Sequence, residues 1–175
     1  MAFGKKAKLD AAGLKEYAAR LLAGRALTAA ELRRKLTPRA EDPEGVGALI
    51  ETLRGYGVVD DKRLASGFAG NRAESGLMGR GKVFAKLRAR GVAGSVAEKA
   101  VTEAYAGRDE TKMVEEYLAR KFRGKNLGEM LQDPAKLAGL YRRLRTAGFG
   151  SQASIGVLKR YAREAEMLED LPEES

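Results

Sequence analysis

The heptapeptide GLMGRGK, Gly76 to Lys82, sets a glycine, four residues, a glycine and a lysine in the order found in loops that cradle nucleotide phosphates. In such loops backbone N–H groups wrap the phosphates, the lysine neutralises them, and a following serine or threonine hydroxyl ligates Mg²⁺. Val83 stands where that hydroxyl is needed. A buried strand must also feed the loop, and the chain upstream reads as helix. Gly76, Gly79 and Gly81 therefore read as a turn between two helices.

Other reactive groups are scarce. The 175 residues include no cysteine and no histidine, which removes thiol nucleophiles, disulfides, the commonest general base and the commonest metal ligand. The adjacent carboxylates Asp60 and Asp61 sit where a helix begins, and capping and first-turn charge account for them. The sequence thus predicts no catalytic residue, no metal and no cofactor, and a protein that is not an enzyme.

Charge is what remains. The formal net charge is +9, and residues 164–175, EAEMLEDLPEES, hold six acids and no base, leaving residues 1–163 with 33 bases against 18 acids. An excess of +15 favours a polyanionic partner through long-range attraction that salt weakens. The acidic tail is expected to screen this charge, so that deleting it tightens DNA binding at low salt. No run of about 18 apolar residues and no signal-type leader is present, so a cytoplasmic location is the default expectation.

These groups must be positioned by helices, because nearly every segment has helical period and none alternates as a strand. Asp10 caps a first helix with Leu14, Tyr17, Ala18, Leu21 and Leu22 inside, stopped by Gly24. Thr28 and Glu31 form a capping box, with Leu27 and Leu32 as a hydrophobic staple, for a helix ending before Pro38. Asp42 and Pro43 open a third, with Val46, Leu49, Ile50 and Leu53 inside. The fourth starts at Asp60 or Asp61 and buries Leu64, Ala65 and Phe68; the fifth carries Val83, Phe84 and Leu87 to Gly91. Ser95 and Glu98 suggest a capping box for a sixth. Asp109, then Asp133 with Pro134, then Ser151 begin the last three, with GKNLGEMLQD as a loop between the seventh and eighth.

Leu36, Leu87 and Leu144 occupy matching places in successive triplets, with LRARGV at Leu87 and LRTAGF at Leu144. Steps of 51 and 57 residues mark a tandem array of three three-helix repeats, all-α. The repeats span 1–57 with a basic N-terminal extension, 58–107 and 108–163, followed by the acidic tail 164–175. A glycine after a basic last turn is also the ordinary helix stop, as LRGYGV at Leu53 illustrates, and a single nine-helix bundle is the alternative.

The blocks RLLAGRALTAAELRRKL, YGVVDDKRLASGFAGNR and GRGKVFAKLRARGV resemble, in order and spacing, the RecX regulators of the bacterial recombinase RecA. The matching positions include Asp60, Asp61, Gly79, Leu87 and Gly91. TPRA at Thr37 to Ala40 departs from the pattern, where a glycine is more usual. The resemblance implies an elongated, curved string of three-helix modules lying along the helical groove of the RecA filament on single-stranded DNA. It also implies inhibition of RecA's ATPase, strand-exchange and co-protease activities, and so modulation of recombination, DNA repair and the SOS response.

On that reading the partner-binding and DNA-binding residues are the basic helix faces: Arg33, Arg34 and Lys35; Lys82, Lys86 and Arg90, at i, i+4 and i+8; and Arg142, Arg143 and Arg145. Arg72 and Arg80, flanking the glycine turn, join them. The partners expected are the RecA filament and, weakly and without sequence preference, single-stranded and double-stranded DNA. No dimerisation zipper or membrane segment is seen, so a monomer is expected. A DNA-binding protein of helix-turn-helix or nonspecific type is the alternative.

Overall fold

The computed structural model describes residues 7–162. Ten α-helices follow in order: α1 (Ala11–Gly24), α2 (Ala29–Leu36), α3 (Gly45–Gly55), α4 (Asp61–Ser75), α5 (Arg80–Ala89), α6 (Gly94–Tyr105), α7 (Glu110–Lys121), α8 (Leu127–Met130), α9 (Pro134–Thr146) and α10 (Ser151–Leu158). A 3-10 turn, Thr37–Arg39, follows α2, and one isolated parallel bridge joins Leu9 to Ala40. The all-α expectation holds, and no described helix is long and apolar enough to cross a membrane. The acidic segment 164–175, on which an expectation was placed, lies outside the described residues.

Local chemistry explains most helix starts. The carboxylates of Asp10, Asp109 and Asp133 accept from backbone N–H groups of the first turns of α1, α7 and α9, and Thr28 with Glu31 closes the full capping box on α2. Three expectations need correction. α3 begins at Gly45, because the Asp42 carboxylate accepts from the Glu44 N–H in a tight turn before the helix. α6 begins at Gly94, so Ser95 lies inside its first turn and not at its cap. The segment expected as a loop after α7 contains the short helix α8, capped by Asn126.

The described residues form two compact units, 7–67 with 87–100, and 68–86 with 101–162. The first is built on Leu14, Ala18, Leu27, Leu32, Leu36, Val46, Ile50 and Val59. The second has the larger core, in which Val114, Leu118, Leu131, Leu144, Phe149, Val157 and Leu158 are almost fully enclosed and the Tyr117 and Phe149 rings meet edge to face. Within α4 the buried stripe is Ala65, Ala69 and Ala73, whereas the bulkier Leu64 and Phe68 are only half-buried.

In the first unit the start of α2 meets the end of α5. The Thr28 hydroxyl donates to the Arg90 carbonyl at 2.6 Å, and Ala30 faces Gly91, where an added Cβ would lie 2.3 Å from the Ala30 Cβ. In the second unit the start of α5 meets the end of α9 in the same way. The Gly79 N–H donates to the Ala147 carbonyl at 2.8 Å and the Gly81 N–H to the Gly148 carbonyl at 3.1 Å.

Aligned on Leu36, Leu87 and Leu144, Thr28 corresponds to Gly79 and Arg90 to Ala147. One carbonyl, just before a positive-φ glycine, is therefore satisfied at both joints, by a hydroxyl in one and a backbone N–H in the other. This is the structural duty of the phosphate-loop-like glycines: a Cβ on Gly79 would lie 2.2 Å from the Gly148 carbonyl carbon and oxygen.

The outer ends differ. At the end of α2 no glycine is present; the Leu9 N–H donates to the Arg39 carbonyl at 2.7 Å and the Glu41 N–H to the Leu9 carbonyl at 2.9 Å. At the start of α9, Asp133 and Pro134 cap the helix from its own sequence.

Candidate interaction surfaces

The basic residues divide by what they touch. Arg33, Arg34 and Lys35 fill the last turn of α2 and are exposed, while Leu32 and Leu36 on the other face are fully enclosed. Arg80 and Lys86 on α5 are exposed and Lys82 is half-buried. Arg142 and Arg143 on α9 are exposed, with Arg143 over the Phe122 ring. Arg72 lies over the Phe68 ring, its guanidinium 5.2 Å from the centroid.

Arg90 is not part of an open face. Its guanidinium donates to the Glu31 carboxylate at 3.1 and 2.9 Å and to the Ala26 carbonyl at 3.1 Å. Arg25 adds a longer contact of 3.5 Å to the same carboxylate. Burial pushes the Glu31 carboxyl up, but the hydrogen bonds from Arg90 and the Thr28 N–H, with the charges of Arg90 and Arg25, outweigh it and hold the group below its ordinary value. The spacing that suggested a face at 82, 86 and 90 carries no information on this partner, 59 residues away.

Arg145 is likewise committed, donating to the Phe149 carbonyl at 2.8 Å. Arg88, which the sequence did not single out, makes the same bond to the Val92 carbonyl at 2.6 Å. Both arginines tie down the residue after a positive-φ glycine, Gly91 at +83° and Gly148 at +89°. In LRARG and LRTAG the arginine is thus a helix-end clamp, whereas Arg54 of LRGYG pairs with Glu51 and Asp61.

The acidic pair is divided between two helices. Asp60 caps its own helix through the Arg63 N–H at 2.9 Å, a bond that chiefly accounts for its lowered pKa. Asp61 instead accepts from the Ala29 N–H at 2.9 Å, capping α2, and faces Arg54 at 3.6 Å. Both carboxylates have structural duties, and among the described residues no group of acids could hold a metal. Leu87 is fully buried, whereas Phe84, expected in the core beside it, stands 37% exposed.

Sequence reasoning passed over Lys121, Arg123 and Lys125, a dense basic run around Phe122 whose signal was visible as charge alone. A cleft of about 370 Å³ between α1 and α3 has an apolar lining that includes Leu9, Leu14, Ala40 and Leu49, with Asp10, Lys15, Glu41 and Asp42 also on its wall.

No family model matches the chain. It is 33% identical over 135 residues to the regulatory protein RecX of Chromohalobacter salexigens, covering 77% of this chain and 84% of that protein. With the regulatory protein RecX of Halorhodospira halophila it shares 37% identity over 91 residues, 52% of this chain and 56% of that one, so it spans little more than half the length of that relative. The crystal structure of RecX from Lactobacillus salivarius has the same fold, with a TM-score of 0.66 at 16% identity over 86% of this chain and 95% of that chain. Coverage of that extent at that identity, on a shared all-helical fold, places the chain in the RecX family of regulatory proteins.

Proposed function

We propose that the protein is a negative regulator of RecA that binds the RecA filament on DNA and inhibits its ATPase, strand-exchange and co-protease activities, and so modulates recombination, repair and the SOS response. It acts as a monomer in the cytoplasm, through three modules, 1–57, 58–107 and 108–163. The observation that carries the reading is the joint made twice, Thr28 on Arg90 and Gly79 on Ala147, at positions 51 and 57 residues apart. A repeated joint favours a repeated partner. The exposed cations beside it, Arg33, Arg34 and Lys35 on α2, Arg80 and Lys86 on α5, and Arg142 and Arg143 on α9, favour an acidic one.

A sequence-reading DNA protein is less favoured. Base readout needs side chains free to reach base edges, and helix-turn-helix readers usually pair over half-sites. The test is RecA's ATPase rate on single-stranded DNA at physiological salt, with this protein added below one molecule per RecA subunit. Inhibition at that ratio is expected. No inhibition at saturation, or inhibition that excess free DNA removes, overturns the reading.

A further inference from the structure

The connection between α7 and α8 gathers cations that no helix face explains. α7 ends at Lys121 and Phe122 follows as its C-cap; Gly124, at φ +78°, then turns the chain so that the Lys125 N–H donates to the Phe122 carbonyl at 3.0 Å. That turn carries the Lys125 ammonium back over the Phe122 ring, 5.8 Å from its centroid. The Arg143 guanidinium, from α9, lies over the same ring at 5.7 Å. Lys121 and Arg123 flank Phe122 in sequence and Arg142 precedes Arg143, and all of these cations are exposed.

Two cations share one ring, whose quadrupole attracts each while they repel one another. Of the carboxylates nearest in sequence, Glu116 lies against Arg120 at 3.8 Å, Glu115 pairs with Arg160 and Asp133 with Lys136 at 3.6 Å, while among the described residues the exposed Glu129, four positions past Lys125, pairs with none of these cations. Among the described residues none of Lys121, Arg123, Lys125, Arg142 and Arg143 meets a carboxylate. The result is a concentrated positive potential on a turn fixed by a glycine and a ring.

We propose that this cluster binds the phosphodiester backbone of a nucleic acid. The proposal rests on the reading that the protein works on DNA-bound RecA, and it names where the chain would touch the nucleic acid itself, at a turn that adds Lys121, Arg123 and Lys125 to the Arg142 and Arg143 of the α9 face. The chemistry selects phosphate and not base. Phe122 already lies under two cations and is not free to stack, so neither sequence nor strandedness is read except through charge density. Arg143 offers a planar fork to phosphate oxygens, and the lysines offer point charges.

The competing occupant is the chain's own acidic segment, residues 164–175. α10 runs in the same direction as α7: the Gly150 N–H donates to the Glu110 carboxylate at 2.8 Å, and Arg160 pairs with Glu115. Its course is therefore toward the end of α7 that bears the cluster, and six acids follow it in sequence.

The experiment is fluorescence anisotropy of the full chain with labelled oligothymidylate and with a random duplex, over a range of salt. Lys121→Gln/Arg123→Gln/Lys125→Gln is compared with the charge-matched Arg33→Gln/Arg34→Gln/Lys35→Gln, after circular dichroism shows both folded. The cluster variant is expected to lose about tenfold in low-salt affinity for either probe and to flatten the log–log salt slope by about 2 with oligothymidylate and about 3 with the duplex, as loss of about three phosphate contacts requires. The matched variant is expected to lose less than about threefold. If the cluster variant is misfolded, Arg142→Gln/Arg143→Gln on α9 is read in its place, with a loss of about fivefold expected and a loss equal to the matched variant's counting against the proposal.

Equal losses in the two triple variants, or none, overturn it. So does a cluster variant that binds like the intact protein until residues 164–175 are deleted, since the tail then holds the cluster. RecA ATPase measured in parallel separates the two readings: a DNA-binding loss without RecA inhibition leaves the site standing and removes the proposed function. Inhibition with unchanged DNA affinity does the reverse.

Discussion

Glu31 near the start of α2 and Arg90 at the end of α5, 59 residues apart in sequence, are joined by two hydrogen bonds of 3.1 and 2.9 Å, with the Glu31 side chain 7% exposed. Removing Arg90 strands a carboxylate that is enclosed and already partnered. Breaking a fully buried pair typically costs 3–5 kcal/mol, and Arg90 keeps 23% of its side-chain exposure, so Arg90→Ala is expected to cost about 2 kcal/mol. Glu31→Met with Arg90→Met should cost less than Arg90→Ala alone, as measured by urea midpoints. A double variant weaker than the single one would show that the pair contributes through more than mutual compensation.

The same carboxyl makes stability depend on pH. Its folded-state pKa is below the ordinary 4.5, so above that value it is ionised in both states and its full contribution is present. As pH falls from 4.5 through the folded value, the unfolded chain takes up the proton first and the contribution is lost. Asp60 and Asp133, also lowered by backbone N–H bonds, add to the trend in the same direction. Glu31→Gln is expected to be less stable than the parent at pH 6 and to lose the gap as pH drops below 4.5. Parallel melting curves for the two across that range would rule this out.

The glycines divide into those that permit a conformation and those that permit an approach. Gly107 has φ +69° and open space around it, so Gly107→Ala should cost only the strain of a left-handed residue, about 1 kcal/mol. Gly148 combines φ +89° with the Lys82 backbone nitrogen 2.2 Å from where its Cβ would stand. Gly148→Ala should cost at least about 3 kcal/mol, and Gly79→Ala, lacking the φ penalty but meeting the Gly148 backbone, about 2. Thermal melts of the three variants rank them.

Arg88→Ala and Arg145→Ala are each expected to lose about 1 kcal/mol of stability, because each removes a charge-assisted bond to the carbonyl after a helix-ending glycine. Arg142→Ala, exposed beside Arg145, should leave the melting temperature within about a degree. If Arg145→Ala melts like Arg142→Ala, the clamp contributes nothing.

Helix starts were legible because caps are local. Asp10, Thr28 with Glu31, Asp109 and Asp133 all act within three residues of their own position. What escaped the sequence is long-range: Asp61 capping a helix 32 residues upstream, and Arg90 turning from a solvent face to Glu31. The α4 stripe was right at Ala65 and misplaced at its two larger members for another reason. Leu64 and Phe68 share the period of Ala65 and Ala69, and bulk pointed to the wrong one of two neighbouring faces. α8, four residues long, is too short to display a period at all. Of the basic residues, the exposed ones could be guessed from their faces, but which arginines were tied to carbonyls could not.

TPRA, the departure at the end of α2, takes its meaning from the joint. Of the three aligned helix ends, those of α5 and α9 receive the start of another helix and carry the glycine, whereas α2 receives Leu9 instead and α9 begins on its own Asp133. Only α5 carries both halves, a start that docks and an end that is docked upon. A longer chain assembled by duplicating helices α4 to α6 would reproduce plug and socket in every added copy, whereas duplicating α2 alone or α9 alone would supply one without the other. The α4 to α6 segment is therefore the part of the sequence that could be copied in tandem with each copy carrying what the next one needs.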